Sequence, residues 1–142
     1  MGRSYWFECA RCGYRTKVSG RADRGLDFFV QTILCRECKE LYDAVTRLRL
    51  AIESRAGPNR KSAGLRLGGL LSQLRVPAVP PTFLAVLNRL PITGATRFAW
   101  VRFKLQCPVS AAHRVESWNE PDKCPRCGIQ LERNVLPYRI WE

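Results

Sequence analysis

Apolar and polar positions alternate at the start of the chain, where Tyr14, Thr16 and Val18 are interleaved with Arg15 and Lys17. This period of two predicts strands over residues 3–8 and 14–19, folded about a turn between them. Residues 20–27, with Gly20, Asp23, Gly25 and Asp27, read as a loop, and the apolar run from Phe28 to Leu34 as a further strand. The period then changes. Leu41, Val45, Leu48 and Ile52 recur at i, i+4, i+7 and i+11, Asp43 and Arg47 form a favourable i,i+4 pair, and Gly57-Pro58 supplies a stop. These features predict a helix packed on the first part of the chain, although Thr46, Leu48 and Leu50 also alternate as a strand would.

The middle of the chain is broken up. Residues 54–64 have linker composition. Leu67, Leu70, Leu71 and Leu74 make a short helical stripe between Arg66 and Arg75, weakened by Gly68-Gly69 and ended by Pro77, Pro80 and Pro81. Thr82 can cap a second short helix, Phe83 to Leu90, stopped by Pro91. Residues 58–91 therefore read as an insertion that orders on a partner, or whose leucines fold back onto the rest of the chain. No apolar stretch approaches the ~20 residues of a membrane span.

Arg97 to Gln106 carries the clearest strand pattern. Ala99, Val101, Phe103 and Leu105 form one face, and Phe98, Trp100, Arg102 and Lys104 the other. Aromatics interleaved with cations can stack bases and pair phosphates; they can equally pack beneath the insertion as an ordinary sheet face. Near the end of the sequence, Tyr138, Ile140 and Trp141 are expected to close a core.

The candidate chemistry lies in seven cysteines and one histidine, grouped as Cys9/Cys12, Cys35/Cys38, Cys107/His113 and Cys124/Cys127. Eight ligands fill two tetrahedral sites with none left over, which points to two zinc ions per chain. Gly13 and Gly128 follow the second thiolate of their pairs, where the chain must turn back sharply, and Pro125 pre-sets the turn at Cys124. Neighbouring clusters are expected to share an ion: Cys9, Cys12, Cys35 and Cys38 at one site, and Cys107, His113, Cys124 and Cys127 at the other. An interleaved arrangement would instead clamp both ends together.

Disulfides suit neither the odd cysteine count nor a start that lacks an apolar signal segment, so the reading is cytoplasmic. A redox pair would need a single C-x2-C in a βαβ context. Iron remains the rival metal, since four thiolates can also hold it. Both sites are closed by protein ligands and no histidine is left as a base. Glu116, Glu120 and Asp122 read as solvated loop carboxylates. The expectation is a protein that is not an enzyme.

Charge adds a partner class. The net charge is +12, and residues 44–114 hold 12 basic side chains against the single acidic Glu53. A basic block so segregated is the footprint of a polyanion such as nucleic acid or a ribonucleoprotein; an acidic protein surface or an anionic membrane surface would also fit.

Cys9-Ala-Arg-Cys12-Gly and Cys124-Pro-Arg-Cys127-Gly resemble the knuckles of zinc-ribbon proteins. The stretch from Cys107-Pro through His113-Arg-Val-Glu-Ser-Trp118 to Cys127 is similar to small bacterial zinc-ribbon proteins of unassigned activity. The resemblance covers about residues 5–45 and 98–142 and implies metal-bound ribbons. Ribbons occur in transcription factors, polymerase subunits, ribosomal proteins and scaffolds, so it leaves function open. The resulting expectation is a small metal-stabilised α+β protein. Two zinc-ribbon-like β modules (1–46 and 97–142) would be joined by a partly helical basic insertion (47–96). Arg47, Arg49, Arg55, Arg60, Lys61, Arg66, Arg75, Trp100, Arg102 and Lys104 would contact nucleic acid. The alternative is an adaptor or subunit of a protein complex that docks a partner through the leucine-rich insertion.

Overall fold

In the computed structural model, residues 1–52, 76–89 and 97–142 are described. The alternating start folds as expected into a hairpin of β1 (Gly2–Glu8) and β2 (Arg15–Val18), with Trp6 opposite Lys17 and Phe7 opposite Thr16. On its other side β1 pairs antiparallel with β8 (Glu132–Trp141), giving a three-stranded sheet in the order β2-β1-β8. A second antiparallel sheet contains β3 (Asp23–Arg24), β4 (Phe28–Cys35), β5 (Glu40–Ala51) and β6 (Phe98–Arg102) in that order. β7 (Val115–Ser117) pairs with β4 near Cys35.

This architecture corrects the expected α+β class. The described residues form a predominantly antiparallel β protein. The first and last strands belong to one sheet, so residues 1–46 and 97–142 are not two separate ribbon modules. Among the described residues the single helix is α1 (Phe83–Leu87), whose first turn is capped by the Thr82 hydroxyl accepting from the Ala85 amide at 3.2 Å. The proposed helix over Leu67–Leu74 and the stops at Gly57-Pro58 and Pro91 lie outside the described residues.

The expected helix from Leu41 is instead the twelve-residue strand β5, and a bulge accounts for the misleading period. Val30 pairs with Val45 but its neighbour Phe29 pairs with Arg47, which leaves Thr46 as the extra residue. Before the bulge the odd positions Leu41 and Val45 face inward; after it the even positions Leu48 and Leu50 do. A step of three between two runs of step two imitates a helical stripe. β6 stops at the same place, because the Phe103 amide donates to the Thr46 carbonyl and the chain then leaves the sheet toward Cys107.

Two cores result. The first joins Tyr5, Phe7, Tyr14, Val18, Leu41, Trp118 and Leu131 with Cys9 and Cys124. The second collects Phe28, Val30, Val45, Leu48, Leu50, Val86 and Trp141. Phe28 and Trp141 stack at 4.6 Å, and Phe83 of α1 meets Trp141 edge-on at 5.5 Å. Gly2 is fixed by this packing, since a Cβ there would enter the ring of Trp141.

A polar node ties the two sheets together. Asp43 of β5 is half-buried as a residue, but its carboxylate turns inward. It accepts from the Ser19 amide at 2.9 Å, the Ser19 hydroxyl at 3.0 Å and the Thr32 hydroxyl at 2.7 Å. Thr32 in turn accepts from the Gly20 amide. Burial pushes the carboxyl of Asp43 up to about 6, against the opposing hydrogen bonds from Thr32 and Ser19. The unfolded chain releases this proton near pH 4, so the stability it carries is complete below that value and is lost as the pH rises through about 6. Relative to Asp43→Asn, the natural protein should therefore lose on the order of 2 kcal/mol between pH 4 and pH 7. Urea titrations of both proteins across that range would show it; a constant difference would contradict it.

Candidate metal centres and an aromatic, cationic sheet face

The eight candidate ligand residues converge in two groups. Cys9, Cys12, Cys124 and Cys127 form one, and Cys35, Cys38, Cys107 and His113 the other, with the ligand atoms of each lying within 4.8 Å of one another. The pairing expected from sequence order is therefore wrong. The outermost clusters meet each other, the inner two meet each other, and the sites are nested. The reason is the β1–β8 pairing, which brings the start of the described chain beside its last hairpin.

Both knuckles of the outer site are built alike. The Gly13 amide donates to the Cys9 carbonyl at 2.9 Å, and the Cys9 amide to Tyr14 at 2.9 Å. The Gly128 amide donates to Cys124 at 3.0 Å, and the Cys124 amide to Ile129 at 2.6 Å. Each turn needs a left-handed residue after the second thiolate, met by Gly13 at φ 70° and Gly128 at φ 76°. At the inner site the corresponding residue is Lys39, held at φ 53°. An L side chain in that region costs about 1–2 kcal/mol. Lys39→Gly should accordingly raise the unfolding free energy by roughly 0.5–1 kcal/mol after glycine's larger chain entropy is counted. Denaturant melts of the two proteins test this, and a destabilised variant would refute it.

Separations within the groups suit a shared ion. Cys9 and Cys127 sulfurs stand 3.3 Å apart and Cys12 and Cys124 sulfurs 3.7 Å; the Cys38 sulfur lies 3.7 Å from that of Cys107 and 3.3 Å from His113 Nδ1. Tetrahedral zinc with bonds of about 2.3 Å sets its sulfurs about 3.8 Å apart, whereas a disulfide requires about 2.05 Å. All seven cysteines are free.

Their acidities show what the donor sets lack. The Cys12 amide holds the Cys9 thiol down at about 6. Burial pushes Cys124 up to about 12, and burial together with the Cys35 and Cys107 sulfurs pushes Cys38 up to about 11. For Cys107, burial is overcome by the Ser110 and Val109 amides and by His113, leaving it at about 7. Within each group one thiol is held down and another pushed up. A dication at the centre would favour the thiolate form of all of them, and the donor sets present fit one.

An ion pair braces the outer site and a backbone hydrogen bond the inner one. Arg126, in the outer knuckle, pairs with Glu40 of β5 and lies 4.7 Å from the Tyr14 ring. The Glu37 carboxylate, beside Cys35, accepts from the Arg114 amide at 2.9 Å, and this bond holds its carboxyl below the usual range.

Four of the residues expected to contact nucleic acid share one surface. Arg47 lies opposite Arg102, and Arg49 opposite Trp100, so all four stand on the outer face of the second sheet. Arg24 and Phe29 join them through Phe29's pairing with both Arg24 and Arg47, and Phe98 through its pairing with Ala51. Phe29 and Trp100 meet edge-on at 5.3 Å. Sequence reasoning left Phe29 and Arg24 out of the site: the run Phe28-Phe29-Val30 conceals which member faces outward. Lys104 is not on this face, because the strand has ended and its side chain lines a groove with Val45 and Phe83. Arg55, Arg60, Lys61, Arg66 and Arg75 lie outside the described residues.

Fold and sites together define an antiparallel β protein with two four-donor clusters able to hold metal ions. Comparison with family models, curated proteins and solved structures returns no match. Among the described residues no helix is long and apolar enough to cross a membrane.

Proposed function

We propose that the chain is a non-enzymatic protein that holds two structural zinc ions and contacts nucleic acid or a ribonucleoprotein through cations of its central segment. Zinc is favoured by the donor sets, one of four thiolates and one of three thiolates and an imidazole. Each set is closed by protein donors, which leaves no position for a substrate and supports a structural role. Cysteines grouped as metal donors would suit a reducing compartment such as the cytoplasm.

The observation that carries the nucleic-acid reading is the convergence of Arg24, Arg47, Arg49 and Arg102 on one sheet face. Only Arg49 among them makes an ion pair among the described residues, with Asp27 at 3.3 Å. Binding of the zinc-loaded protein to nucleic acid should weaken linearly on a log–log plot against salt. The triple change of Arg47, Arg49 and Arg102 to glutamine should reduce that slope by about 2 for single strands. Unchanged binding by the triple variant would sink the assignment.

A second reading, an adaptor within a protein complex, is favoured by strand β8. Among the described residues it stands at the edge of its sheet, with Val135 86 % and Leu136 75 % exposed. Affinity of such an edge for a protein would change little with salt.

A further inference from the structure

We infer that the outer face of the β4–β5–β6 sheet is a stacking platform for single-stranded nucleic acid, in which Trp100 seats a base and the flanking arginines take its phosphates. The inference rests on the nucleic-acid reading above and narrows it to strands with unpaired bases. Three aromatic rings occupy this face, and the arginines cover two of them. The Arg47 guanidinium lies 5.3 Å from the Phe29 ring and that of Arg49 lies 3.8 Å from the Phe98 ring. Among the described residues no cation lies over Trp100, which is 47 % exposed. An exposed indole held by a strand pair, its edge set by Phe29, offers a flat surface to a ring of similar size.

The chemistry selects single strands. In a duplex the base faces are stacked on each other and only the edges and phosphates are reachable, so rings on a sheet surface have nothing to cover. Unpaired bases present their faces, and aromatic side chains stack on any of the four bases alike. Arg47 and Arg49 have two uses here. Each guanidinium now caps a ring and can move to a phosphate oxygen when a base takes its place, so ring and cation stay occupied in both states. The first sheet provides a contrast. There the Lys17 ammonium lies 4.4 Å from the Trp6 ring and 4.0 Å from Tyr138, covering both aromatics with one cation.

The test compares the zinc-loaded protein with an unstructured oligonucleotide and with a hairpin duplex of equal length and composition, at one salt concentration. The single strand is expected to bind at least tenfold more tightly and to quench the fluorescence of Trp100. Trp100→Ala should weaken single-strand binding about tenfold or more, while Trp100→Phe retains most of it and Trp6→Ala leaves it unchanged. Trp100 packs at the surface, and equal melting curves would confirm that the variants fold alike. If the duplex binds as tightly as the single strand, or Trp100→Ala binds normally with the salt dependence intact, the platform is wrong while the nucleic-acid reading stands. If neither ligand binds, both readings fail together.

Discussion

Serine in place of Cys12 is expected to lower the metal content from two ions to one and to cost several kcal/mol, a large part of the ~10 kcal/mol that a structural zinc contributes. A second serine at Cys127 should then cost little more, because the ion it would have held is already lost. A second serine at Cys38 should cost as much again, since it empties the other site. This contrast follows from the grouping of Cys12 with Cys127 and of Cys38 with Cys107. Neighbouring clusters sharing an ion would give the reverse, with Cys12 and Cys38 non-additive. Metal counting and urea titration of the two double variants decide between them. Loss of the outer site should also free β8 from β1, seen as fast amide exchange from Glu132 to Trp141.

Trp118→Ala is expected to destabilise the metal-loaded protein by about 3–5 kcal/mol. Trp118 is 2 % exposed and its ring meets that of Phe7 edge-on at 5.3 Å. Its indole N–H donates to the Lys123 carbonyl at 3.0 Å, and its backbone amide to that of Thr32 at 2.9 Å. The side chain thus packs on β1 of the first sheet and steadies the loop before Cys124, while the residue's backbone ties the same segment to β4 of the second. Alanine would leave a cavity there and an unmatched carbonyl at Lys123. Trp118→Phe, which keeps most of the ring, should recover about half of the loss. A change below 1 kcal/mol in the alanine variant would mean that the sheets pack without this ring.

How far all this was legible in the sequence depended on the range of the interaction. The candidate donors were plain, because thiolates and imidazole advertise their chemistry through spacing alone. The ligand pairing was not, since nothing near Cys12 reports that β1 will lie beside β8. Local turn chemistry was read correctly at Gly13, Gly128 and Thr82. The strand at Glu40–Ala51 was misread because the bulge at Thr46 reverses the inward parity midway, a tertiary event with a helix-like trace. On the cationic face, alternation identified Trp100 and Arg102 but carried Lys104 along with them, past the point where the chain leaves the sheet for Cys107. Phe29 needed its partner strand before its direction could be known.

The nested ligand sets also impose an order of events on a chain made from its N-terminus. Cys9 and Cys12 emerge first, yet their proper partners follow more than a hundred residues later, a wait of roughly 6–23 s at ordinary rates of synthesis. Cys35 and Cys38 are available much sooner and offer the same donors at the same spacing. On the proposed reading, a newborn chain that meets the metal early can therefore assemble a four-thiolate site from the wrong four cysteines, and must surrender that ion before Cys124 and Cys127 can claim it. The yield of correctly threaded protein should then depend on how quickly the metal exchanges between thiolates, and a cell that delivers the metal late would make more of it than one that delivers it early.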